Sequence, residues 1–147
     1  MPDSATQVNV TRTYDAPREQ VFAALVDPEQ IQQWWGPEHF EVPRDSITVD
    51  LRVGGRYDLT MVNPGGTAYP VRQEIVELSS PELLVLLHEA VPEHGLHEPI
   101  ATRIELHEEG GATRVEVTGG PYPPEMGPNA EQGWQQQLDK LAGLLSA

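Results

Sequence analysis

The side chains able to do chemistry in this 147-residue chain are few and scattered. Cysteine is absent, which removes thiolate nucleophiles, thiolate zinc sites and disulfides. Serine occurs at Ser4, Ser46, Ser79, Ser80 and Ser146, in turns, termini or strand starts. None stands in a Gly-x-Ser-x-Gly elbow, so acyl transfer by that route is excluded. Gly54-Gly55 opens a strand rather than a helix and so offers no phosphate cradle. Arg56, Tyr57 and His88 remain as groups that can move a proton or orient a polar ligand atom. The segment Glu93-His94-Gly95-Leu96-His97-Glu98 brings together two imidazoles and two carboxylates, all zinc-ligand types. Its His-x-x-His spacing around a glycine reads as a solvated loop, and no metal or other cofactor is expected.

The elements that must position these residues are legible from periodicity. Val8, Val10 and Tyr14 alternate with Asn9, Thr11 and Thr13, the pattern of a half-buried strand. Asp15-Ala16-Pro17 then begins a short helix whose stripe is Val21, Phe22, Leu25 and Val26. Asp27-Pro28-Glu29-Gln30 starts a second, with Asp27 as cap, and it presents Ile31 and Trp34. Six strands are predicted near 46–50, 55–61, 69–76, 83–88, 101–108 and 113–119, separated by glycine- and proline-bearing turns. Gly110-Gly111 closes a hairpin on whose wet face Arg103, Glu105, Arg114 and Glu116 are expected to pair. After the proline-rich loop 121–128, Trp134, Leu138, Leu141 and Leu145 mark one face of a C-terminal helix of about four to five turns.

The order predicts an α+β fold: a curved seven-stranded antiparallel sheet gripped around a long C-terminal helix, plus two short helices. One domain over residues 1–147, with its core at about 8–145, is the expectation. A strongly curved sheet leaves a cavity under the helix, and apolar pockets with a few polar groups are the usual form of small-molecule sites. The expected wall takes Tyr57, Leu59 and Met61 from one strand, Leu86 and His88 from another, and Trp134, Leu138 and Leu141 from the helix. Phe40 is also expected to line it, and Trp34 and Trp35 close its end, either as packing or as the entrance. Tyr57 and His88 bring polar atoms to this surface and are expected to orient the ligand's polar end.

Composition narrows the partners. Nine Lys and Arg against 23 Asp and Glu leave a net charge of −14, which repels nucleic acid and anionic membrane surfaces. The longest aliphatic run, Leu83–Leu87, is far shorter than the ~20 residues of a membrane span. The N-terminus lacks the pattern of a signal peptide, so a cytoplasmic location is expected. The expected partner is a small hydrophobic or aromatic ligand, and a homodimer is compatible with such a chain.

A series of motifs runs through almost the whole sequence: Asp15-Ala16-Pro17-Arg18-Glu19-Gln20-Val21-Phe22, Leu25-Val26-Asp27-Pro28, Trp34-Trp35-Gly36-Pro37, Asp50 to Tyr57, Glu74-Ile75, and Gly133-Trp134 with Leu138 and Leu141. In order and spacing it resembles the family named for activators of the heat-shock protein 90 ATPase, within the START-like (SRPBCC) superfamily of helix-grip folds that includes the birch-pollen allergen. The resemblance implies the helix-grip fold and a ligand cavity; wider superfamily members bind lipids, hormones and polyketides or cyclise aromatic polyketides. It therefore leaves three readings: a ligand-binding domain, a polyketide-cyclase-like enzyme in the same cavity, or a chaperone-associated interaction domain. The eukaryotic co-chaperone uses a separate N-terminal domain to reach the chaperone, so a chaperone contact is not expected here. The sequence departs from the family at Pro70-Val71-Arg72, where relatives usually carry Gly-x-Tyr, and in the His- and Glu-rich segment 89–99.

Overall fold

The computed structural model describes residues 6–36, 39–92, 98–122 and 127–146. The first strand, β1 (Thr6–Tyr14), leads into the helices α1 (Arg18–Val26) and α2 (Pro28–Trp34). Both helices start as their sequences dictate. Pro17 precedes the first helical residue of α1, and Gln20 and Val21 donate to its carbonyl. At α2 the Asp27 carboxylate accepts the Glu29 N–H at 3.2 Å and the Gln30 side-chain amide at 3.1 Å, so the cap is made with two donors.

The remaining strands are β2 (Thr48–Val49), β3 (Tyr57–Val62), β4 (Ala68–Val71), β5 (Gln73–Ser79), β6 (Leu83–His88), β7 (Ile100–Glu109) and β8 (Ala112–Tyr122), and α3 (Gly127–Ser146) follows. The antiparallel α+β helix-grip architecture holds, but among the described residues the strands number eight and not seven. The segment expected as one strand over 69–76 breaks at Arg72 into β4, which pairs β3, and β5, which pairs β6. Pro70 has no N–H to donate and sits where β4 has one neighbour only, the position a strand proline tolerates. The Asp58 carboxylate accepts the Gln73 N–H at 2.9 Å, supplying a partner just beyond the break. The result is a five-stranded sheet ordered β1-β8-β7-β6-β5 and a three-stranded sheet ordered β2-β3-β4. They are stitched together by the Arg56–Glu74 bridge and by bonds of Gly54 and Gly55 with Ile75.

Of the segment 121–128 expected as a loop, residues 121–122 belong to β8 and 127–128 to α3, while 123–126 lie outside the described residues. In the β7–β8 hairpin, Gly110 (φ 61°) and Gly111 (φ 90°) form the turn, both in the left-handed region. Strict alternation follows: Ile104, Leu106, Val115 and Val117 are buried, while Arg103, Glu105, Arg114 and Glu116 face outward. On that outer face the expected pairing across the hairpin is corrected. Glu105 lies directly opposite Glu116, and Arg103 instead pairs with Glu105 of its own strand and with Glu77 of β5.

The core lies between the inner sheet faces and the helices, with Val21, Leu25, Ile31, Trp34, Ile75, Leu84 and Leu141 almost wholly inaccessible. Tyr14 fastens β1 to α3 by donating to the Leu138 carbonyl at 2.8 Å. Among the described residues no helix is long and apolar enough to cross a membrane.

Candidate functional site

The candidate site begins at one row of the five-stranded sheet. Cross-strand register places Gln73, His88 and Ile100 side by side on β5, β6 and β7, with Thr102 in the next row opposite Leu86. The helix above contributes Ala130, Gly133, Trp134 and Gln137, spaced three, four and seven residues apart and therefore on one face. Met61 and Val71 from the smaller sheet, Trp35 from the end of α2 and Tyr122 from the end of β8 complete the wall. These residues enclose a partly open cavity of about 220 Å³.

Of the residues expected to line a cavity, the structure brings four together there: Trp35, Met61, His88 and Trp134. Trp35 anchors them, with ring centroids 5.7 Å from Trp134, 5.6 Å from Tyr57 and 5.1 Å from Trp34. Trp34 itself is fully buried and donates its indole N–H to the Ala24 carbonyl at 2.8 Å, joining α2 to α1. Leu59, Leu86, Leu138 and Leu141 are buried in the core and do not line the cavity. Phe40 is half-buried outside the lining, 6.0 Å from Tyr69 between ring centroids.

Tyr57 is also outside the lining. Its side chain is 1% exposed, and its hydroxyl donates to the Leu25 carbonyl. Burial raises the pKa of this phenol well above its usual value, so it stays a neutral donor. The hydroxyl is thus committed to closing α1 against β3. Residues 93–97, with His94 and His97, lie outside the described residues.

The polar lining comes from elsewhere. Gln73, Thr102 and Gln137 are 3%, 5% and 6% exposed and stand among apolar neighbours. The Gln137 side-chain oxygen accepts the Gly36 N–H at 2.6 Å, which ties α3 to the end of α2. The Gln73 amide donates to the Tyr57 carbonyl at 3.4 Å. Tyr122 interacts through its hydroxyl with the Trp134 side chain, and burial raises its pKa. The His88 Nδ1 lies 2.6 Å from the Glu89 carbonyl oxygen. A carbonyl can only accept, so Nδ1 carries a proton, and in the tautomer this selects Nε2 is the acceptor.

The signal for these polar residues was present in the pattern. Thr102 occupies an inward place in the alternation of Ile100, Ile104 and Leu106. Gln137 follows Trp134 by three residues and precedes Leu141 by four, on the apolar stripe of α3. Among the described residues, no Asp, Glu, Lys or Arg lines the cavity.

Comparison with known proteins agrees with this architecture. None of the curated proteins matches the chain. A crystal structure of a Chromobacterium violaceum protein is 26% identical, with 96% of this chain and 97% of that one covered and a TM-score of 0.86. The AHSA1 protein of Silicibacter pomeroyi is also 26% identical, over 96% of this chain and 98% of its own, with a TM-score of 0.83. A Nitrosomonas europaea protein at 23% identity shares the fold, covering 99% of this chain and 97% of its own at a TM-score of 0.82. The family described as activator of Hsp90 ATPase homolog 1-like protein matches residues 15–146, and the chain belongs to that family.

Proposed function

We propose that the chain is a single small-molecule-binding domain whose cavity, under the first half of α3, takes a neutral aromatic molecule of one or two rings. The observation that carries this reading is the lining: aromatic and aliphatic walls with Gln73, Thr102, Gln137, Tyr122 and His88 as hydrogen-bonding groups and, among the described residues, no carboxylate, guanidinium or ammonium. The size follows from the volume. An apolar cavity of about 150 Å³ holds benzene, so 220 Å³ suits about ten non-hydrogen atoms rather than a sterol or a long acyl chain. Neutrality follows from charge. A carboxylated ligand would approach a protein of net charge −14 and find no guanidinium or ammonium among the described lining residues.

Ligand binding is common in this family, and a thermal-shift screen tests the narrower reading. The panel pairs neutral one- and two-ring phenols and ketones with their carboxylated analogues and with fatty acids. At a hundredfold excess over Kd a ligand adds about 2.7 kcal/mol to stability, a rise in Tm of several degrees for a chain of this length. Rises confined to the neutral aromatics support the reading; rises confined to fatty acids or carboxylates contradict it.

A second reading, an enzyme of the polyketide-cyclase type, is favoured by His88, whose Nε2 is an acceptor on a cavity-lining residue and so can act as a general base. His88→Ala separates the two. It abolishes turnover of a bound substrate in the enzyme and only weakens binding in the carrier.

A further inference from the structure

The outer face of the β7–β8 hairpin carries a second constellation, on the opposite side of the sheet from the cavity. Glu105 and His107 alternate on the outward face of β7, and Glu116 lies on β8 directly opposite Glu105. Two carboxylates in register are an unfavourable cross-strand pair unless a cation stands between them. His107 reaches into that gap. Its Nε2 is 3.3 Å from Glu105 Oε1 and 3.8 Å from Glu116 Oε1. The three ligand atoms all lie within 4.8 Å of one another. The imidazole is 40% exposed as a whole, but Nε2 itself is shielded from solvent and points at these two carboxylates.

The flanking groups hold both carboxylates in this pose. Arg103 Nε donates to Glu105 Oε2, and Asn9 donates to Glu116 Oε2 at 3.2 Å, so each glutamate presents Oε1 to the imidazole. Hydrogen bonds of this kind to the outer atoms of ligands are what orient metal sites. Arg114 Nη1 approaches Glu116 Oε1 at 3.7 Å, but its Nε is bonded to Glu109 at 2.9 Å. Around the site, among the described residues, the carboxylates of Glu77, Glu105, Glu109 and Glu116 pair with two guanidiniums, those of Arg103 and Arg114. These four carboxylates and two guanidiniums leave an excess of two negative charges beside His107.

We propose that Glu105, His107 and Glu116 form a surface site for one divalent transition ion of the zinc type. One imidazole and two carboxylates suit a borderline ion better than magnesium or calcium, which take oxygen ligands only. Zinc–ligand bonds of about 2.0–2.1 Å put tetrahedral ligand atoms about 3.3 Å apart, against 3.3 and 3.8 Å here. Small rotations of Glu116 bring its oxygen in, and water completes the shell. The exposed position implies micromolar rather than structural-zinc affinity.

Isothermal titration of the full chain with Zn²⁺ at pH 7.5, alongside Mg²⁺ and the His107→Gln and Glu116→Gln variants, tests the site. One equivalent of Zn²⁺ binds, Mg²⁺ binds at least tenfold more weakly, and each variant loses at least tenfold in Zn²⁺ affinity at unchanged Tm. Imidazole nitrogen spectra give an independent readout: Zn²⁺ moves one histidine's Nε2 resonance, and that signal is missing from His107→Gln. An absence of Zn²⁺ binding overturns the proposal. So does binding that survives in both variants, or a shifted resonance belonging to another histidine such as His94 or His97.

Discussion

Three buried polar side chains, Gln73, Thr102 and Gln137, distinguish this cavity from ordinary core. Thr102 is the most informative to change, because valine has nearly its shape and the same β-branch. Thr102→Val leaves Tm within a few degrees or raises it, since an apolar group replaces a hydroxyl in an apolar wall. The same change weakens binding of a hydroxylated or carbonyl ligand by about tenfold, or about 1.4 kcal/mol, read from tryptophan fluorescence quenching. Equal affinity in both proteins would remove Thr102 from the site. At this scale the sequence was only partly legible. Trp35, Met61, His88 and Trp134 reach the wall, whereas Tyr57 finds its hydrogen-bond partner 32 residues away at Leu25. Periodicity tells which face a side chain takes, but not which carbonyl its hydroxyl meets across the fold.

Among the elements, the turn before β3 carries a severe steric condition. A Cβ built on Gly55 would lie 2.0 Å from the Asp50 carbonyl oxygen, a backbone atom that cannot swing aside. Gly55 and its neighbour Gly54 also make the bonds to Ile75 that join the two sheets. Gly55→Ala therefore costs at least about 3 kcal/mol and is expected to lower the urea midpoint sharply. Gly65→Ala, in a turn where a Cβ meets only the Asn63 side chain at 3.5 Å, is the near-neutral control. Comparable midpoints for the two variants would show that the turn relaxes freely. Element types and most boundaries were readable, because the strand and helix periods differ and Asp27-Pro28 and Gly110-Gly111 carry explicit start and turn chemistry. The break at Arg72 was not. It arises because the chain leaves β3 for β6 there, a change of partner that no local pattern encodes.

At the scale of the molecule, the phenols of Tyr14, Tyr57 and Tyr122 all have raised pKa values, in each case chiefly from burial. The linkage has a definite sign. An acid whose pKa is higher in the folded than in the unfolded state contributes fully below the unfolded value, near 10 for tyrosine, and loses that contribution as pH rises above it. Stability is therefore expected to fall progressively above about pH 10. Most phenolate absorbance should appear together with loss of the circular dichroism signal. Phenolate absorbance complete before unfolding would contradict the burial of these rings. The cavity depends on the same global packing, because its wall draws on both sheets, α2 and α3.

Its occupancy is tested most directly by the three indole N–H resonances in an ¹H–¹⁵N correlation spectrum of the chain, titrated with a panel of neutral two-ring phenols beginning with 2-naphthol. Trp35 and Trp134 line the cavity, whereas Trp34 is buried with its N–H bonded to Ala24. Binding shifts the Trp35 and Trp134 signals with saturation and leaves Trp34 nearly still. If no member of the panel moves Trp35 or Trp134, or if shifts collect on the outer sheet face instead, the cavity is packing space and the binding account fails.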